Sequence, residues 1–481
     1  MANSSGATVN SRFLGRGLVY ASVSIAPILM NFVATPFVTR VLGPESYGVV
    51  AVSVSVFQFG IVLLTLGLAA SITRQAILED SGRSGAVATV LAGAGCAAVL
   101  FCLAVLLLPW WGPGVLQGAD PAILIYPLVS CLGLALLQNA QSLFRAEQQV
   151  ASFVLLGVAA SVLGPLVGLL LLLNVERTAP TYLSGLSAVH LTVGIVAVLV
   201  CLLRQRPRFV GMDFAKSLSI GLPTVPHQMA VSFLALLLVA GTSRVVGLEA
   251  AGGLQLGLLI GSAPMMLLGA INNAWAPMIY RTPSDSRGDI LRSSYGTMML
   301  MVVLLVCGFV VLAPAVVPFV AGPVANGHVV TQVALIVASG TPFMTAYLAN
   351  IHLVFISGRT AILAITTPVS AILALLLVGL SVLAGLPLDI RVLAVAVPLF
   401  HVCQLAMSIA IRRGRSEIEV PALKLFPEIS VIAALIVAGL LVPDNFMLLP
   451  VLSLGLLATL AGVRRKQVAR YVRRVGVLNA G

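Results

Sequence analysis

Two kinds of side chain in this sequence could do chemistry: guanidinium groups at the ends of apolar runs, and neutral polar groups inside those runs. Four arginines stand out by position, Arg40 and Arg244 closing two lead runs, and Arg74 and Arg281 closing the runs that follow them. A guanidinium stays charged and meets phosphate oxygens two at a time, so arginines around a central cleft suit a diphosphate head group. A structural reading competes with this one. Arg40 and Arg244 each have a carboxylate five residues on, Glu45 and Glu249, as a loop ion pair requires, and Arg74 and Arg281 double as topological anchors. The neutral set is Asn31, Gln58, His227, Gln228, Gln255, Asn272 and Asn273. Such groups can contact sugar hydroxyls in a wet cleft, or hydrogen-bond one helix to the next.

Other chemistry is missing from the sequence. No Asp or Glu lies inside an apolar run, the nearest being Glu428, which disfavours a carboxylate relay for protons or sodium. There is no HExxH, GxSxG or GxxxxGK[ST] motif and no paired-acid constellation. His190, His352 and His401 lack a ligand partner at i+4, and the six cysteines are scattered without a CxxC pair. The sequence therefore reads as a non-enzyme with no metal and no cofactor.

The elements that must position these groups follow from composition. Of 481 residues, 59% are hydrophobic and only 9% are charged, against about 25% charged in a soluble domain. The excess apolar area must face lipid, which excludes a soluble nucleic-acid-binding protein despite a net charge of +12. At about 20 apolar residues per spanning helix, the chain has material for about fourteen. The charge-free stretches number the same, beginning near 17–39 and 48–73, with a twelfth near 392–411 and a last pair near 429–443 and 446–463. The 27 Lys and Arg divide 23 to 4 between alternate ends, only Arg40, Arg177, Arg244 and Arg391 falling on the poorer side. Basic residues are retained in the cytoplasm, so both termini are expected there, in a multi-pass protein of the inner (cytoplasmic) membrane.

An internal repeat organises the helices. Arg40-Val41-Leu42-Gly43-Pro44-Glu45-Ser46-Tyr47-Gly48 aligns with Arg244-Val245-Val246-Gly247-Leu248-Glu249-Ala250-Ala251-Gly252, sharing RVxGxExxG at an offset of 204. The expected architecture is all-α, with a six-helix lobe at 1–210, a second, parallel copy at 211–415, and two extra helices with a basic cytoplasmic tail at 416–481. Pro27 and Pro36 should kink the first helix, and Pro223 and Pro226 the seventh.

The stretch from Phe37 to Gly48, Gly67-Leu68 through Arg74, Gly221-Leu222-Pro223, Gly247 to Gly252 and Trp275-Ala276-Pro277 resemble the polysaccharide (oligosaccharide-lipid, Wzx-type) flippases. These belong to the MOP exporter superfamily, which also holds the MATE-type multidrug extruders and the lipid II flippases. The resemblance implies a MATE-like fold of fourteen helices around a cationic cavity, moving polyprenyl-diphosphate-linked glycans to the outer leaflet. It implies as partners the lipid-linked glycan, membrane lipids, a glycan polymerase and glycosyltransferases. A multidrug or cation extruder of the same fold is the alternative, although it should carry a cavity carboxylate. A membrane-embedded glycan polymerase or ligase should carry a large catalytic loop, and none is encoded.

Overall fold

The computed structural model describes residues 4–209, 211–356 and 360–412, with Gly455 and Ala458. Regular structure among them is helical: α1 (Ser4–Thr65), α2 (Leu68–Leu78), α3 (Gly82–Leu106), α4 (Leu108–Val115), α5 (Ile125–Ala146), α6 (Val150–Val158), α7 (Gly164–Asn174), α8 (Ala179–Arg204) and α9 (Gly211–Gly221). There follow α10 (Val225–Val245), α11 (Leu248–Gly261), α12 (Ala263–Arg281), α13 (Ser284–Ala321), α14 (Gly327–Ala338), α15 (Thr341–Ile356), α16 (Leu363–Leu383), α17 (Ile390–Ala394) and α18 (Ala396–Arg412). Eleven helical stretches among the described residues are long and apolar enough to cross a membrane. The first, Met30–Leu78, holds a break at Gly43 and so covers two of the sequence spans. The chain is an all-α, multi-pass membrane protein. The expected pair at 429–443 and 446–463 lies outside the described residues, apart from Gly455 and Ala458.

The repeat has a backbone counterpart. α1 leaves helical geometry at Gly43, with φ 73° and ψ 179°, and Gly247, its partner in the repeat, has φ 123° in the turn between α10 and α11. Both are left-handed values that a Cβ disfavours, so the shared glycine marks the same corner in each copy. The break in α1 therefore falls at Gly43, beyond Pro27 and Pro36. Helix seven does break at its proline: α9 and α10 are separated by a 3₁₀ turn, Leu222–Thr224, containing Pro223.

The chain forms two compact units. One lies within Met1–Leu256, Phe319–Asn326 and Thr360–Leu393, the other within Gly257–Pro318, Gly327–Arg359 and Ala394–Gly481. In the first unit α5 runs along α8, with Gly133 against the His190 backbone and Gly194 against the Gly133 carbonyl, so that a Cβ on either would overlap the neighbouring helix. Lipid offers no hydrophobic drive between helices, and such close backbone approach supplies the van der Waals contact instead. In the second unit α15 packs against α12 and α18, and Gly257 and Gly261 let α11 approach Val333 and Ala334 of α14.

Candidate functional site

A cavity of about 560 Å³ opens inside the first unit. Its walls follow helical periodicity: Val54, Phe57, Gln58, Ile61 and Val62 on α1, Leu134, Leu137, Gln138 and Gln141 on α5, and Leu186 and His190 on α8. Positions i, i+3, i+4 and i+7 share one helix face, so each helix turns a single stripe toward the space. The remaining wall runs from Phe153 and Gly157 on α6 into Ala160 and Ser161, which sit in a π-helical turn, Ala159–Leu163. Pro165 explains the turn. It has no N–H to give the Ser161 carbonyl and its ring crowds that oxygen, so the ladder widens there. Asn31 and Ser232 complete the polar lining.

Among the described residues, every polar side chain of this lining is an amide, a hydroxyl or an imidazole, and none is acidic or basic apart from His190. Much of their hydrogen-bonding capacity is open. Among the described residues, the side chains of Gln58, Gln138 and Ser232 have no partner. Gln141 Nε2 donates to the Phe153 carbonyl at 3.2 Å and Ser161 Oγ donates to Gly157 O at 2.8 Å, which leaves the acceptor positions of both unused. His190 stacks on Phe57, with ring centroids 6.0 Å apart and planes inclined by 22°, and its buried Nδ1 has no hydrogen-bond partner.

Two of the residues singled out from sequence, Asn31 and Gln58, line this cavity together. The arginines stand elsewhere. Arg40 gives Nη1 to Pro36 O at 2.6 Å and Nη2 to Phe319 O at 2.8 Å, and lies 4.9 Å over the Phe319 ring. It thus caps the last turn of α13, a favourable place for a cation at a helix C-terminus, and does not pair with Glu45. Arg244 is exposed in the last turn of α10. Arg74 pairs with Glu79 at 3.3 Å, and Glu79 also takes Lys216 of α9 at 2.7 Å, beside a crevice of about 10 Å³. Arg281 is exposed in the last turn of α12.

Of the other neutral candidates, His227 and Asn272 bind one helix to another. His227 Nδ1 lies 2.7 Å from Thr367 Oγ1, joining α10 to α16, and Gln228 Nε2 donates to Thr224 Oγ1 at 3.1 Å. Gln255 is buried, with no hydrogen-bond partner for its Oε1. In the second unit Asn272 Oδ1 lies 3.0 Å from His352 Nε2, whose Nδ1 lies 3.0 Å from Tyr280 OH, while Trp275 meets the imidazole edge-on. Asn273, next to this network, is exposed. Sequence reasoning that kept to the amides and one imidazole of the lead helix pairs missed Gln138, Gln141, Ser161, His190 and Ser232. The cluster of amides Gln138, Asn139 and Gln141 on α5 was the available signal.

A family model described as polysaccharide biosynthesis protein matches residues 14–283, more than half of the chain. No curated protein matches the sequence. Among solved structures, a lipid II flippase in an inward closed conformation aligns over 93% of this chain and 99% of its own, at 13% identity and a TM-score of 0.64. An inward-facing multidrug resistance MATE family transporter of the MOP superfamily aligns over 86% and 99%, at 14% identity and a TM-score of 0.65. A MOP superfamily transporter from Pyrococcus furiosus aligns over 87% and 96%, at 14% identity and a TM-score of 0.55. The fold is that of a MOP-superfamily membrane transporter.

Proposed function

Because the chain belongs to the polysaccharide biosynthesis protein family, we propose that it flips a polyprenyl-diphosphate-linked oligosaccharide from the cytoplasmic to the outer leaflet. The lobes at 1–210 and 211–415 alternate access by rocking, while the prenyl tail stays in lipid. The observation that carries this reading is the cavity itself, which is roomy, sets seven neutral polar side chains among apolar ones and, among the described residues, includes no carboxylate. A charge at mid-membrane costs at least about 3 kcal/mol even on insertion scales, so a glycan and its diphosphate need a shielded polar route. Amides such as Asn31 and Gln58 suit the glycan, and Arg40, Arg74, Arg244 and Arg281 are the cations available to the diphosphate outside the cavity.

Extrusion of drugs or cations is the second reading, favoured by the likeness in fold to multidrug transporters. The lining argues against it, since a cation leaving water for this cavity meets no counter-charge among the described residues. The test is reconstitution into vesicles with a fluorescent diphosphate-linked oligosaccharide in one arm and rhodamine 6G in the other. Translocation of the lipid, reduced tenfold or more by Arg74→Ala or Arg281→Ala, is the expected result. Dye transport without lipid transport overturns the reading in favour of the second.

A further inference from the structure

The cavity differs in chemistry from what a diphosphate requires, and the difference identifies which part of the cargo it takes. A diphosphate needs cationic donors, yet among the described residues no Arg or Lys lines the space. A cationic drug needs a carboxylate or an open aromatic face. Among the described lining residues there is no carboxylate, Phe57 is already stacked on His190, and the Phe153 ring already has the Arg145 guanidinium 5.8 Å over it. Each open amide presents both a donor and an acceptor, which is the pattern of a sugar hydroxyl or an N-acetyl group. Gln58 on α1 and Gln138 on α5 have no side-chain partner among the described residues, and the acceptors of Gln141 and Ser161 are open. A volume of about 560 Å³ falls within the ~300–1,000 Å³ of small-molecule sites.

We propose that this cavity is a subsite for neutral sugar rings of the cargo, separate from any diphosphate-binding cations, and that it selects neutral over acidic glycans. The proposal rests on the reading of the chain as a lipid-linked glycan transporter. Selection arises because a uronic acid or a sulfate entering here gives up its hydration and finds no cation in return. A neutral ring exchanges hydroxyl–water bonds for hydroxyl–amide bonds at little cost. Gln58, Gln138, Gln141 and Ser161 are the specificity-determining groups.

The experiment uses the full-length protein in lipid nanodiscs, with thermal unfolding and equilibrium binding as readouts. The probes are maltotriose and N,N′-diacetylchitobiose as neutral sugars, digalacturonic acid as the acidic one, and tetraphenylphosphonium and pyrophosphate as charged controls. At least one neutral sugar raises the Tm, and Gln58→Leu and Gln138→Leu each weaken its Kd tenfold or more. Gln58→Glu gives a gain that misfolding cannot imitate: tetraphenylphosphonium binds at least tenfold tighter than to the unaltered protein. Tighter binding of digalacturonic acid than of both neutral sugars, protection by neither neutral sugar, or sugar binding indifferent to both leucine variants overturns the subsite. Parallel flipping assays separate the two ideas. Neutral sugar binding without transport of any lipid-linked glycan refutes the transport reading alone. Equal transport of neutral and acidic lipid-linked glycans, unaffected by Gln58→Leu and Gln138→Leu, refutes the subsite alone.

Discussion

The two copies of the repeat meet at their own glycines, and that contact can be tested with a single methyl group. A Cβ on Gly48 would overlap the carbonyl carbon and oxygen of Leu248, and on the other side Gly252 packs against Tyr47 and the Gly48 backbone. Both sides of the overlap are backbone, so no rotamer change relieves it. Overpacking of this kind costs about 1–3 kcal/mol, which multiplies the population of states with the contact open by about 5 to 150. Tyr47 is 6% exposed beside the seam, which makes Tyr47→Cys a reporter for a membrane-impermeant maleimide. On the positive-inside count the seam lies at the outer face, and on the alternating-access reading it closes that face. Adding Gly48→Ala should raise the labelling rate at position 47 by at least fivefold and lower the Tm. Unchanged labelling together with an unchanged Tm would show that the two motif copies do not bear on each other, and would refute the reasoning.

The charges at the helix ends lead to milder expectations. Glu79→Gln releases Arg74 and Lys216, but the two cations are half exposed and such pairs contribute about 0–1 kcal/mol; the Tm in detergent should fall slightly and less so at high salt, and a large, salt-independent loss would contradict this. In the loop before α17, burial pushes the Asp389 carboxyl up, but hydrogen bonds from the Arg391 side chain and backbone and the guanidinium charge outweigh it and hold the group below the usual carboxylate range. A depressed folded-state pKa contributes stability above the ordinary Asp value of about 3.9, lost as pH falls through the folded-state value. The Tm gap between the unaltered protein and Asp389→Asn should accordingly be constant from pH 7 to 5 and close on acidification below about 4; a gap that widens on acidification reverses the sign and defeats the argument. Export of two net charges from an inside-negative compartment gains about 4.6 kcal/mol per 100 mV, so flipping in vesicles should accelerate with imposed potential, and indifference to it would exclude electrogenic transport.

Local pattern carried the parts of this structure that local physics decides. Continuous apolar runs mark helices in lipid because every backbone group there must be satisfied within its own segment. A shared RVxGxExxG motif marks a common corner because only glycine sits easily at the φ of Gly43 and Gly247. Tertiary pairing was not legible in the same way. Arg40 finds Phe319 and Glu79 finds Lys216 across 279 and 137 positions, and no spacing rule reaches that far. Glu45 stood nearer in sequence to Arg40 and was the wrong partner to expect. The cavity was missed for a related reason. Asn31 and Gln58 lie on the lead helix, but Gln138 and Gln141 lie on α5, outside it, and one wall includes a π-helical turn ahead of Pro165 that no periodicity of 3.6 anticipates.

The separation of the two chemistries is itself a consequence of the solvent. An arginine in hydrocarbon is costly, whereas an amide or hydroxyl is cheap once it finds one partner. A chain that must offer both kinds of group therefore keeps guanidinium groups at helix ends, as at Arg244 and Arg281, and admits neutral polar groups to the interior, as at Gln58 and Gln138. Cargo bearing a charged head and a neutral glycan can be met by such a division without any charge being held in oil. The division also predicts the hierarchy of substitutions. Placing an arginine at Gln138 should abolish assembly or transport outright, while exchanging Gln138 for asparagine should shift only the preference among neutral sugars. A functional Gln138→Arg protein with unchanged sugar preference would mean that the interior tolerates charge, and the division would lose its physical basis.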